Sequence, residues 1–461
     1  MKFPSQLRSI LQSRKGWRWG FIDFLIAFSS IWLGLSLSPY VDIHDTYKQI
    51  LLSAAYAILL VSMVRLCGLN THRVEHLLSH YEIILSSIQG SIIAFFILDI
   101  ATTFLYFHSF GRYVIGITII LSASGIASSR ILYQWYLRKN PINVAFLCRN
   151  ELIAELTERF KSDPHFNVVC VGSETPLVQK NDTVKFKNIV IAESDVFIQF
   201  LKDHKTDFAV SVYDKEMGVT VSNVMENLPF AGIDVLNLGA FIELYYQEIP
   251  LSYRNLHWHT ADFFLPKHGA TFLVKRLIDL TTALTGLFIL LPFFPIIMLF
   301  IKMDSQGPAF YSQIRTGFMG KPFKLHKFRT MRADAEASGA QWAQEKDPRI
   351  TRMGAFMRKT RIDELPQLWN VVKGDMSLVG PRPERPEFIK ELKKQIPLYE
   401  WRCLVPPGLT GWAQIRHEYT DTIEGTRRKL QFDLFYIKNH SIWLDLKIIL
   451  STLPMMMKGS R

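Results

Sequence analysis

The chain has 461 residues, 49% hydrophobic and only 20% charged, with 53 Lys+Arg against 41 Asp+Glu. That length holds about three domains and excludes a single small soluble module. Its four cysteines (Cys67, Cys148, Cys170 and Cys403) form no CxxC pair, which argues against a zinc cluster or a disulfide scaffold and fits a reducing compartment.

Four apolar stretches come first, at 21–37, 50–66, 83–107 and 113–133. Each is near the ~20 residues a helix needs to cross the hydrocarbon layer. The first is not a cleavable signal, because no small-residue cleavage site follows and another span comes soon after. Lys2, Arg8, Arg14, Lys15 and Arg18 precede the first span; Arg65 and Arg73 follow the second; Arg130, Arg138 and Lys139 end the fourth. The other two connections hold only Lys48 and Arg112, so both ends of this unit are expected to face the cytoplasm. Asp23 and Asp99 lie within apolar stretches with no basic partner evident in the membrane. They read as carboxylates satisfied within the bundle or at the interface, against the alternative of a proton or ligand site.

From 142 to about 250 short β-rich runs, at 142–148, 166–172, 188–192, 207–212 and 233–238, alternate with helical stretches. This predicts a small doubly wound α/β domain. Its first strand-to-helix turn, CRNELI (148–153), lacks the glycines that let a backbone approach a pyrophosphate. The domain is therefore Rossmann-like but degenerate, and structural or regulatory.

A fifth apolar run, 280–301, contains Pro292 and Pro295 near its middle, where proline breaks a helix. Lys267, Lys275 and Arg276 precede it, and Lys302, Arg315, Lys321, Lys324 and Lys327 follow it. Basic flanks on both sides predict a re-entrant helix that dips into the membrane and returns. The charge balance agrees: residues 1–266 carry 22 Lys+Arg against 23 Asp+Glu, residues 267–461 carry 31 against 18. A basic last third points to anionic lipid, a phosphate-bearing substrate or nucleic acid.

Polar residues concentrate after 302. Asp363 and Glu364 precede Pro366, and proline is comfortable in a first helical turn, so the pair is expected at a helix N-terminus. There a dipole would keep Asp363 ionised, able to attack phosphorus; the competing reading is a simple helix cap. Lys327, Arg329, Arg332, Arg358, Lys359, Arg361 and Arg382 lie within about forty residues of it, and such side chains suit phosphate oxygens. A diphosphate and an attacking carboxylate repel, so Mg²⁺ is expected to bridge them with Asp363 as its protein ligand. GPRP (380–383) and PPGLTGW (406–412) are rigid turns, the first presenting Arg382.

KRLIDL (275–280), the proline-broken helix, KFRTM (327–331), DELPQLWNV (363–371), SLVGPRP (377–383), PGLTGWAQI (407–415) and FDLFYIKNHSIWLDLKI (432–448) follow in one order. In these the chain resembles the bacterial sugar transferase family, the polyprenyl-phosphate hexose-1-phosphate transferases. The whole chain resembles the family's long form, which implies a four-helix transmembrane bundle (1–139), a cytoplasmic α/β domain (140–265) and a mainly helical, monotopic catalytic domain (266–461) with a re-entrant helix at 272–303. The resemblance implies transfer of a hexose 1-phosphate from a UDP-sugar to undecaprenyl phosphate, with UMP released, to begin exopolysaccharide, capsule or O-antigen synthesis. By the same resemblance Asp363 accepts the phosphosugar and Glu364 assists by proton handling or orientation. Lys327, Arg329 and Arg358 hold phosphates, and Pro381, Arg382 and Pro383 lie beside the nucleotide. Asp445 is a further acidic site position and Pro292 the helix-breaking proline. The implied setting is the bacterial inner membrane with the catalytic domain cytoplasmic, a homodimer, and no nucleic acid partner. Two departures stand out: Leu291 where the family often has serine, and Arg416, His417 and Glu418 where many members have Asn-Gly-Arg. A non-catalytic scaffold of polysaccharide assembly is the alternative reading.

Overall fold

The structure is a computed structural model that describes residues 16–37, 46–67, 69, 80–106, 112–147, 166–173, 187–191, 194–211, 219–251, 270–332, 335, 347–417 and 422–458. The chain divides into two compact units, residues 1–65 with 69–256, and 66–68 with 257–461.

The first unit opens with helices α1 (Gly16–Ser36), α2 (Thr46–Leu66), α3 (His80–Tyr106) and α4 (Arg112–Lys139). The last three are long and apolar enough to cross a membrane, whereas the apolar part of α1, Phe21–Ser36, is shorter. Ala27, Ile31, Tyr56, Leu60, Phe95 and Ile126 pack their shared core. Tyr56 Oη and Ser122 Oγ lie 3.0 Å apart, and Ser122 donates to Ser91 Oγ at 3.0 Å, so polar groups there find partners inside the bundle.

One expectation is corrected here. Asp23 of α1 does have a basic partner: the buried Arg130 of α4 forms an ion pair with it, and Ser129 adds a hydrogen bond at 3.1 Å. The sequence puts Arg130 at the charged end of a span. The helix instead runs on to Lys139, which leaves Arg130 inside the bundle facing the carboxylate.

Strands β1 (Ile142–Leu147), β2 (Phe166–Ser173), β3 (Lys187–Val190), β4 (Phe208–Ser211) and β5 (Asp234–Asn237) follow. They form one parallel sheet in the order β3-β2-β1-β4-β5. Alternate side chains of a strand point to opposite faces. Val144 and Phe146 accordingly pack with Phe241 and Tyr245 of α7 (Leu238–Tyr246). Ala145 and Leu147 pack with Phe197 and Leu201 of α5 (Ser194–Asp203) and Val221 and Val224 of α6 (Val219–Asn227). Both faces are covered, as a parallel sheet requires. The CRNELI turn at 148–153 lies outside the described residues.

The second unit begins with α8 (Ala270–Leu290), a 3₁₀ turn at Leu291–Phe293 and α9 (Phe294–Asp304). Pro292 brings no N–H to the ladder, and the α-helix gives way at that residue. Together they place Leu273, Leu277, Phe288, Leu291 and Leu299 at the surface, each more than half exposed. So much contiguous apolar surface has no stable place in water. Next comes the antiparallel hairpin β6 (Phe310–Thr316) and β7 (Pro322–Phe328). Helix α10 (Arg352–Thr360) starts where the Thr351 hydroxyl accepts from Gly354 N at 3.0 Å. After a 3₁₀ turn (Ile362–Glu364) come α11 (Gln367–Lys373), β8 (Ser377–Val379) and α12 (Pro386–Gln395). A 3₁₀ segment (Tyr399–Leu404), β9 (Gly408–Thr410), α13 (Trp412–Arg416), α14 (Ile423–Asn439) and α15 (Ile442–Lys458) complete the unit.

Candidate active site

The acidic pair sits between two helices rather than on one. Arg361 ends α10 with a left-handed backbone (φ 57°, ψ 18°), and the chain reverses into the 3₁₀ turn that carries Asp363 and Glu364. A non-glycine residue in that region is strained and persists only where its surroundings enforce it. Both carboxylates are buried, at 7% and 6% exposure.

Their environments differ. Glu364 Oε1 accepts from Arg382 Nη2 at 2.5 Å and lies 3.6 Å from Lys327 Nζ; its Oε2 lies 3.5 Å from Arg361 Nη1. Burial works to raise its carboxyl, but Arg382 and Lys327 outweigh burial and hold it well below the usual carboxylate range. Among the described residues, Asp363 makes no side-chain hydrogen bond or ion pair. Burial, opposed by Lys327, leaves its carboxyl above the ordinary value. The pair precedes the first turn of a short helix, α11, with Pro366 at its N-cap, and burial is the largest influence on the Asp363 carboxyl. Burial also lowers Lys327, to about 8, against the pull of Glu364.

Arg382 is held from behind. Its carbonyl accepts from Arg402 Nη2 at 3.0 Å, and Arg402 pairs with the buried Asp433 at 2.9 Å. Glu384 binds Lys429 at 2.8 Å, and Arg315 donates to the Pro383 carbonyl at 3.2 Å. Pro381, Arg382 and Pro383 line a groove with Thr316, Gly317 and Pro407. The two rigid turns of the sequence prove to be one structure: β8 and β9 pair in parallel, Gly380 N donates to Thr410 O, and Gly408 N donates to Pro381 O, both at 2.9 Å. A Cβ on Gly408 would lie 2.0 Å from Gly380 N, so only glycine permits this approach.

Other expected residues have other partners. Arg358 donates through Nε to Thr330 Oγ1 at 3.0 Å, and its charge still acts on Asp363. Arg329 donates to the carbonyls of Ser305 and Gln306 at 2.6 and 2.8 Å, closing the C-terminus of α9. Asp445 accepts from Lys275 and from Tyr436 Oη, each at 2.7 Å, beside the Val379 carbonyl of β8. Arg402, Asp433, Glu384 and Lys429 went unrecognised in the sequence. The one available signal was charge set within apolar runs, as with Asp433 between Phe432 and Leu434.

Among the described residues no group of three or more His, Cys, Asp or Glu could hold a metal ion. The Asp363 carboxylate, with no ion pair among the described residues, suits Mg²⁺, which commonly takes one or two carboxylates and completes its octahedron with substrate phosphates and water.

Comparison with known proteins gives a consistent picture. Residues 270–459 match the family described as bacterial sugar transferase. The chain is 42% identical over 205 residues to UDP-N-acetylgalactosamine-undecaprenyl-phosphate N-acetylgalactosaminephosphotransferase of Aeromonas hydrophila, covering 44% of this chain and 48% of that protein. It is 44% identical over 184 residues to UDP-glucose:undecaprenyl-phosphate glucose-1-phosphate transferase of Caulobacter vibrioides, covering 39% and 68%. It is 42% identical over 188 residues to an exopolysaccharide production protein of Rhizobium leguminosarum, covering 39% and 92%. The matched stretch thus spans about half the length of the Aeromonas protein.

Proposed function

The chain belongs to the bacterial sugar transferase family, and on that premise we propose that it moves a sugar 1-phosphate from a UDP-sugar to undecaprenyl phosphate through a covalent adduct on Asp363. The observation that carries this reading is the contrast between neighbours: a buried carboxylate with no hydrogen bond or ion pair among the described residues beside one tied to three cations.

An Asp363 oxygen attacks the phosphorus that bears the sugar; the bond from that phosphorus to the bridging oxygen breaks, and UMP leaves with the electron pair. In the second half an oxygen of the lipid phosphate attacks the same phosphorus, and the Asp363–phosphorus bond breaks. Undecaprenyl diphosphate sugar departs and the carboxylate is restored. A phosphate monoester is already largely ionised at neutral pH, so no base is needed to activate it. Glu364, held well below the usual carboxylate range, is a poor proton acceptor. Its role reads as orientation: it holds Arg382, Lys327 and Arg361 where phosphate charge develops. Mg²⁺ held by Asp363 would screen the diphosphate from the approaching carboxylate.

The lipid acceptor accounts for the exposed apolar surface of α8 and α9. On this reading the broken helix is re-entrant, the catalytic unit lies in the inner leaflet on the cytoplasmic side, and the product primes exopolysaccharide synthesis. The test is incubation of the membrane-embedded chain with undecaprenyl phosphate and a panel of labelled UDP-sugars, N-acetylgalactosamine and glucose included. Label on lipid with UMP released supports transfer; UDP released instead, or no label on lipid with any sugar, opposes it.

A further inference from the structure

Two cations approach one buried ring. Trp412, 1% exposed, opens α13, with the Arg416 guanidinium 4.7 Å and the Lys447 ammonium 5.3 Å from its ring centroid. Lys447 belongs to α15, 35 residues beyond Trp412. Among the described residues its ammonium has no hydrogen bond and no ion pair. Burial lowers it to about 7, and the charge of Arg416 pushes the same way. The nearby carboxylate in its own helix, Asp445, is engaged by Lys275 and Tyr436.

A partly buried ammonium held near a second cation is unfavourable, and cation–π contact offsets only part of that cost. An anion against both relieves burial and repulsion together. A guanidinium and an ammonium near one ring, close enough for one to act on the other, suit a phosphate: the first supplies a fork, the second a compact charge. The surroundings indicate that this phosphate is carried on a lipid. Trp443 lies one turn before Lys447, on the same side of α15, and is 68% exposed, the placement of an indole at a membrane interface. The pair also hangs from the strands that present the active-site arginine. Gly380, two residues before Arg382, donates at 2.9 Å to the carbonyl of Thr410, two residues before Trp412.

We propose that Lys447 and Arg416, set on Trp412, form a phosphate subsite apart from the Lys327–Arg382 cluster, which receives the phosphate of the lipid acceptor ahead of transfer. It rests on the acceptor being a lipid phosphate, as argued above.

The test is binding, not turnover. The full chain is placed in phosphatidylcholine nanodiscs, and capture of labelled undecaprenyl phosphate is measured, with undecaprenol, phosphatidylglycerol and inorganic phosphate as competitors. Lys447→Gln is expected to weaken capture about tenfold or more, the loss of one charge-assisted contact, and Lys447→Arg to restore most of it. Undecaprenol and inorganic phosphate are expected to compete poorly. Capture unchanged in Lys447→Gln overturns the subsite. So does phosphatidylglycerol competing as well as undecaprenyl phosphate, which would make the pair a general headgroup contact, and so does inorganic phosphate competing equally, which would make it a site for free anions. Stabilisation of the same preparations by a UDP-sugar reports folding; if Lys447→Gln loses it, Arg416→Gln carries the same expectation. A wild-type chain that captures undecaprenyl phosphate through Lys447 yet releases no UMP would refute the transfer reaction and leave the subsite standing.

Discussion

Arg382 Nη2 lies 2.5 Å from Glu364 Oε1, while the adjacent Asp363 has no ion pair among the described residues. One peptide bond thus separates a carboxylate locked into its ionised form from one that burial leaves easier to protonate. Pairs of titratable groups driven apart in this way commonly divide two roles between them. Here Glu364 engages the cations, and on the proposed reading Asp363 is the carboxylate that reacts.

Replacing Glu364 by Gln keeps the shape and removes the charge that balances Arg382, Lys327 and Arg361. The variant is expected to lose about 1–3 kcal/mol of stability, seen as a lower thermal midpoint in detergent. UMP release should fall sharply with it, because Arg382 and Lys327 lose their anchor. Unchanged release would remove Glu364 from the organising role.

The pH dependence follows from Lys327, lowered to about 8 by burial. Below about 8 its ammonium is charged and attracts phosphate, so kcat/KM for the UDP-sugar is expected to fall as pH rises through about 8. Lys327→Arg should carry that limb to higher pH. Stability moves oppositely: between about 8 and the ordinary lysine value of 10.5 the unfolded chain binds more protons, so Lys327 contributes increasing stability as pH rises through that window. A falling limb left in place by Lys327→Arg would assign it to another group.

Gly408→Ala tests the β8–β9 pairing. The added methyl would lie 2.0 Å from Gly380 N and 2.6 Å from Gly380 O, both backbone atoms with no room to yield. We expect a cost of about 1–3 kcal/mol or more and loss of UMP release, since Arg382 follows directly from this pairing. A variant with wild-type thermal midpoint and release would show that the approach can open harmlessly.

Much of this was legible in the sequence. The runs at 142–148, 166–172 and 233–238 fall on β1, β2 and β5, because a buried parallel strand needs continuous apolar residues between turns. Asp363 and Glu364 were legible as a pair from Pro366 and the surrounding bases. Their unequal titration was not, since it depends on which carboxylate the arginine reaches in space. Arg130 and Asp23 are 107 positions apart and meet only when the bundle forms. Lys447 stands in an apolar helix, and its encounter with Trp412 is likewise a product of packing.

Pro292→Ala bears on the re-entrant reading. With proline present, the helix breaks at Leu291–Phe293; alanine restores the missing N–H and favours an uninterrupted helix by about 3 kcal/mol. Single cysteines at residues 268 and 306 of the natural chain are expected to be labelled from the same, cytoplasmic side. In Pro292→Ala the fraction labelled from opposite sides should rise. Opposite-side labelling in the natural chain would contradict re-entry.

The proposed adduct on Asp363 is covalent, and mass spectrometry reads it directly. The full chain is incubated with a UDP-sugar in the absence of lipid acceptor, quenched in acid and digested. The peptide carrying Asp363 is expected to gain one sugar phosphate, with UMP released in matching amount. Asp363→Asn is expected to show neither, its turnover down roughly 10⁴-fold or more. An unmodified Asp363 peptide while UMP accumulates, or the added mass on another residue, would contradict it.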